Sequence, residues 1–186
     1  MSTVVMHNVV SVDGYIADEN DEVGPLFDWY FNGDHPLVAG EMDEPAPGGM
    51  RVSKASYDYI RPTWDGIGSM VVGRHLFDMT NGWEGRPPAG EHVVVVSHRP
   101  KPDGWHPEAS YHFVDDVAQA VAKAKELAGE RTVAVAAGDV GGLTACGYSS
   151  TPRWTRVAVA EESCRRFRSR RHSLHLLRLN ISLWIS

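Results

Sequence analysis

Four short runs of β-branched residues constrain this chain more than anything else in it: VVMHNVV near the start, SMVVG at 69–73, VVVVS at 93–97 and TVAVAA after Arg131. A strand with one wet face alternates apolar and polar residues, whereas a strand apolar throughout must be covered on both faces, which is the condition of a parallel sheet. Each run stops at glycine or a polar residue, or runs into a glycine-rich turn, so each has a defined end. The cover is legible as well. Between Asp116 and Gly129, the residues Val117, Ala120, Val121, Ala124 and Leu127 recur at helical spacing, with Asp115 or Asp116 as cap and Gly129 as terminator. This predicts a βαβ unit from strand 93–97 through the helix to strand 132–137, with a right-handed crossover. The expected fold class is α/β, a largely parallel central sheet with helices on both faces.

The remaining elements are weaker. The first run reads as a central strand, and PLFDWYF reads as a short helix laying Leu26, Phe27 and Tyr30 on the core. Residues 32–49 carry Pro, Gly and acid with no period, the pattern of a long loop bordering a binding site. SKASYDYI is predicted helical, capped by Ser53, with Tyr57 and Ile60 inward, and stopped by Pro62, Gly66 and Gly68.

With 42% apolar and 23% charged residues, the composition is that of a soluble globular protein. No basic start leads into an apolar run, and no stretch reaches about 18 apolar residues, so a cytoplasmic protein with no membrane partner is expected. Cys146 and Cys164 form no Cys-x-x-Cys, and the pairs His106/His112 and His172/His175 lack a clustered carboxylate or cysteine partner. No metal is expected on these grounds.

Three turns each follow a strand and carry groups suited to anions: Gly73-Arg74-His75, Ser97-His98-Arg99 and Gly138-Asp139-Val140-Gly141-Gly142. In an open α/β sheet, ligands bind outside the carboxyl ends of the strands, so three such turns on one edge would form a dinucleotide cradle. Arg74 is expected to grip a phosphate. Arg99 with His98 is expected to recognise a ribose 2′-phosphate, favouring NADPH over NADH, while Gly138, Gly141 and Gly142 let the pyrophosphate or nicotinamide ribose approach closely. The spacing matches neither Gly-x-Gly-x-x-Gly nor a Gly-x-x-x-x-Gly-Lys loop. Two carboxylates are candidate catalytic groups. Asp13, at the end of the first strand, either faces substrate or is a turn aspartate before Gly14. Asp28, among aromatics, is either buried and suited to proton delivery or an exposed helix-face carboxylate.

The ordered motifs Ser-Val-Asp-Gly-Tyr-Ile-Ala, Val-Val-Gly-Arg-His-Leu-Phe-Asp, Val-Val-Val-Val-Ser and Ala-Ala-Gly-Asp-Val-Gly-Gly resemble the dihydrofolate-reductase-like superfamily. They are most similar to stand-alone members resembling the reductase domain of the bacterial bifunctional deaminase-reductase of riboflavin biosynthesis. The resemblance covers residues 1–142. It implies an NADPH-dependent reductase acting on a small heterocyclic or ribosylamino-pyrimidine-like substrate, and a homodimer in intact relatives. It carries the cofactor role onto Gly73, Arg74, His75, Ser97 and residues 138–142, and it suggests that Asp13 faces substrate. Leu76 departs from the hydroxyl residue common in folate reductases. A zinc deaminase half is absent, since no His-x-Glu with Pro-Cys-x-x-Cys occurs.

Beyond Gly142 the pattern changes. Residues 1–142 carry 10 basic and 22 acidic side chains, whereas residues 143–186 carry 8 and 2, with seven serines and neither Lys nor Asp. The second part is therefore expected to be an out-of-frame or otherwise aberrant ending, its family-like strands missing and a strand edge left uncovered. Nothing obviously pairs with its last apolar segment, LHLLRLNISLWI. On that expectation the alternative function is a truncated, inactive relative that at most binds nucleotide. The basic run at 165–171 sits in no nucleic-acid module, so no nucleic-acid partner is expected.

Overall fold

The computed structural model describes residues 2–11, 16–18, 20, 22–37, 49–136, 140 and 178–185. Within them lie β1 (Val4–Ser11), a 3-10 helix (Gly24–Tyr30), β2 (His35–Pro36), β3 (Arg51–Val52), α1 (Lys54–Asp65), β4 (Ile67–Gly73), α2 (Arg74–Met79), a 3-10 turn (Asn81–Gly85), β5 (His92–Val96), β6 (Tyr111–Val114), α3 (Val117–Ala128), β7 (Thr132–Val135) and β8 (Arg178–Ile185). The main sheet has the order β6-β5-β4-β7-β1-β8, and every neighbouring pair is parallel except β1 with β8. A separate two-stranded piece pairs β2 with β3.

The continuous apolar runs are explained by what covers them. Val71, Val94, Val133 and Val135 point to one face, where Ala120, Ala124 and Ala128 of α3 close over them. Alanines on this face of the helix let its backbone approach the sheet closely. Val72, Val93 and Val95 point the other way, against Phe77 of α2 and Tyr111. Farther along that second face, Val5, Ile67 and Ala134 pack with Trp64, and Val9 joins Leu26, Trp29, Tyr30 and Ile60. The sheet is thus mostly parallel with helices on both faces, as the runs require.

Ser69 is the one buried polar residue of this core among the described residues. Its hydroxyl donates to the Ala124 carbonyl at 2.8 Å, which satisfies a group with 0% exposure and ties β4 to α3. The helix itself has the ends its sequence calls for. Asp116 accepts from the Gln119 amide at 2.8 Å, and Gly129 takes a φ of 63° beyond the last turn.

Several expectations are corrected. The crossover to β7 starts from β6, not β5, because Tyr111–Val114 forms an additional parallel strand. Four residues of mixed polarity on the sheet edge carry no strong period, which is why that strand was not apparent. Helix α1 does not stop at Pro62 but continues to Asp65. Pro62 forgoes one backbone hydrogen bond, and Ile60 and Trp64, packed in the core on either side of it, outweigh that loss. In the first 3-10 helix the fully buried residues are Leu26, Trp29 and Tyr30, with Phe27 only partly covered. The last apolar segment does find a partner. Arg178–Ile185 pairs antiparallel with β1 along its whole length, from Val4↔Ile185 to Ser11↔Arg178, so β1 has a neighbour on each side.

Candidate functional site

Because β4, β5, β7 and β1 are parallel, their carboxyl ends lie on one edge of the sheet. Register places them side by side: Gly73 is opposite Val96, and Val71 is opposite Val135. The turns that follow are in contact. Arg74 Nη1 donates to the Pro100 carbonyl at 3.1 Å, linking the first turn to the second. A Cβ built on Gly73 would lie 3.2 Å from Val140 Cγ2, so the third turn approaches the first closely at a residue with no side chain. Val140 is itself buried against Val71, Val94 and Val135. Gly138, Asp139, Gly141 and Gly142 lie outside the described residues, as does Asp13, two positions beyond the end of β1.

The side chains divide the work differently from their order in the sequence. Arg74 lies along α2 with its side chain 17% exposed, its Nε donating to Asp78 Oδ1 at 2.7 Å. Its guanidinium carbon is 5.5 Å from the Phe77 ring centroid and 6.0 Å from that of Phe113. A guanidinium so engaged by a carboxylate, a carbonyl and two rings holds structure together. Arg99 is the more open of the two, 64% exposed, with Nη2 donating to Asp78 Oδ2 at 2.7 Å. Asp78 therefore bridges both arginines, and together they hold its carboxyl below the usual aspartate range, the hydrogen bond from Arg74 being the largest cause.

Ser97 closes its own turn. Its hydroxyl donates to the Arg99 carbonyl at 2.7 Å and accepts from the Arg99 amide at 2.9 Å, fixing the backbone from which Arg99 projects. His98 and His75 are exposed. Ser97, His98, Arg99 and Pro100 form one wall of an open groove of about 420 Å³, and Phe113, Val114, Asp115 and Gln119 form the other. A groove of that size with an arginine at its rim suits the phosphate-bearing arm of a nucleotide.

Asp28 is exposed on the 3-10 helix, so the burial that would have suited it to proton delivery is absent. Its neighbours Trp29 and Tyr30 turn inward instead. The residue most central to the cluster, Asp78, was not singled out from sequence, although its i,i+4 spacing from Arg74 carries the signal of an ion pair. Phe113 was also missed, since it reaches the groove from β6, the strand the sequence did not reveal, and Gln119, in the first turn of α3, was missed because its helix was read only for its buried face. Among the described residues no group of three or more His, Cys, Asp or Glu is arranged to hold a metal ion. No described helix is long and apolar enough to cross a membrane.

No family model and no curated protein matches the chain. Among solved structures, it is similar to one named "Putative riboflavin biosynthesis protein" from Shewanella sp. PV-4, with a TM-score of 0.42 and 19% identity. The similarity covers 74% of this chain and 66% of that one, so this chain spans just under two thirds of that protein's length.

Proposed function

We propose that this chain is an NADPH-dependent reductase of the dihydrofolate-reductase-like kind, passing a hydride to an electrophilic carbon or C=N of a small heterocyclic or ribosylamino-pyrimidine-like substrate. The observation that supports it most is the gathering of the turns after β4, β5 and β7 on one edge of the sheet, beside a groove with Arg99 at its rim. A dinucleotide polyanion needs backbone that can come close and cationic side chains that stay reachable.

In this reading Arg99 and His98 take the ribose 2′-phosphate, and Phe113 offers apolar surface beside it. Arg74 and Ser97 act as the frame that holds the Arg99 turn in place. In this proposal the glycines at 138, 141 and 142, which lie outside the described residues, let the pyrophosphate or nicotinamide ribose come close. When bound, the nicotinamide supplies the hydride. Asp13, which lies outside the described residues, is the other carboxylate that the sequence offers as a proton source. An exposed Asp28 leaves that step to Asp13 or to water.

The test is binding of NADPH and NADH to the purified full chain, followed by calorimetry, and NADPH oxidation against reducible pyrimidines. NADPH should bind more tightly than NADH, and Arg99→Ala should abolish the difference. Equal affinity for the two cofactors, or none for either, ends this assignment.

A further inference from the structure

Asp78 stands where an incoming anion would compete with it. Its Oδ1 is held by Arg74, which is itself fixed by the Pro100 carbonyl and by the Phe77 and Phe113 rings. Its Oδ2 is held by Arg99, whose guanidinium meets no other recorded partner among the described residues. The carboxylate is thus anchored on one side and offers a single hydrogen bond on the other to a side chain 64% exposed at the groove rim. An arginine has five N–H donors, so a phosphate can reach Arg99 from the groove while Asp78 stays behind it. The two anions then share one cation and repel each other across it.

We infer that Asp78 is a built-in competitor that weakens anion binding by Arg99 and so sets how tightly the groove holds a phosphate. The inference rests on the reading of the groove as the phosphate end of a cofactor site, but it concerns the anion alone. Asp78→Asn keeps the side-chain shape and an acceptor oxygen while removing the charge. With a dianion on the far side of the guanidinium, roughly 7 Å away, the lost repulsion corresponds to about two- to fivefold tighter binding at low salt, shrinking as salt rises. If Asp78 served only to hold Arg99 in position, the same change would leave binding unaltered or weaken it.

The experiment titrates inorganic pyrophosphate and adenosine 2′,5′-bisphosphate into the wild-type chain, Asp78→Asn, Arg99→Ala and the double variant, in about 20 mM and about 150 mM salt. Thermal melting confirms folding, and Asp78→Ser substitutes if Asp78→Asn does not fold. Tighter binding by Asp78→Asn, lost in the double variant and narrowed by salt, is the expected result. A gain that survives Arg99→Ala, or no gain, or no pyrophosphate binding by either chain, overturns the inference. The outcomes separate the two ideas. A pyrophosphate gain without NADPH binding leaves Asp78 in this role and removes the cofactor assignment, whereas NADPH binding with no gain does the reverse.

Discussion

Arg74 and Arg99 are 25 positions apart and contact the same carboxylate, yet their replacement by alanine should fail in different ways. Arg74→Ala removes a hydrogen bond to the Pro100 carbonyl, an i,i+4 ion pair with Asp78 and cation–π contacts with Phe77 and Phe113. At a side chain 17% exposed these contribute about 1 kcal/mol or more, about 0.4 and about 0.7 kcal/mol, so the loss is roughly 2 kcal/mol. For a chain of this length that is about 4–8 °C in Tm. Arg99→Ala loses one exposed ion pair, worth well under 1 kcal/mol to stability, but on the proposed reading it removes a charged hydrogen bond to phosphate of about 1.5–3 kcal/mol, or roughly 10- to 150-fold in NADPH affinity. The assay is thermal melting beside NADPH and NADH titration for both variants. Should Arg74→Ala melt with the wild type and lose NADPH selectively, the division of labour argued from their contacts is wrong and the first turn is the phosphate site.

Ser69→Ala should cost about 1 kcal/mol in urea unfolding, because it removes the hydroxyl that bonds the Ala124 carbonyl; a neutral result would show that packing alone seats α3 on β4. Tyr111→Phe should cost a similar amount, since its buried hydroxyl donates to the Gly82 carbonyl at 2.7 Å and steadies a turn in which Asn81, Trp83 and Glu84 all have φ near 50°. Hydrogen exchange at 81–86 should quicken in that variant, and unchanged exchange would mean that the turn holds without it. Asp116→Ala should destabilise by about 1 kcal/mol through loss of the α3 cap, while Asp116→Asn should recover most of it; equal losses in the two would count against capping. Asp78, whose folded pKa lies below its ordinary 3.8, contributes stability that is present above about pH 4 and lost as pH falls through the lower folded value. Asp78→Asn should therefore flatten the acid limb of a stability-versus-pH curve, and an identical limb would show that the two arginines do not stabilise the ionised form.

Much of the architecture was legible in local pattern. The β-branched runs pointed to buried parallel strands because apolar residues at nearly every position leave little face for water, and the 117–128 period with its aspartate cap and terminal glycine specified α3 almost to the residue. Those signals are strong because each depends on neighbours within a turn or a few residues. β6 and the full length of α1 were not legible, since Tyr111–Val114 is stabilised by pairing with β5 and Pro62 is tolerated through burial on either side of it.

The edge carrying the candidate site follows from sequence, because parallel strands point their carboxyl ends the same way. Which arginine is reachable does not. Arg74 and Arg99 are the same side chain, each placed shortly after a parallel strand. Helical spacing along α2 puts Phe77 and Asp78 beside Arg74, but only tertiary packing sets Phe113 beneath it, Pro100 beside it and Arg99 on the other oxygen of Asp78. Charge and residue type are properties of the chain, whereas exposure and hydrogen-bond partners are properties of the fold, and it is the second pair that decides which cation remains open to a ligand.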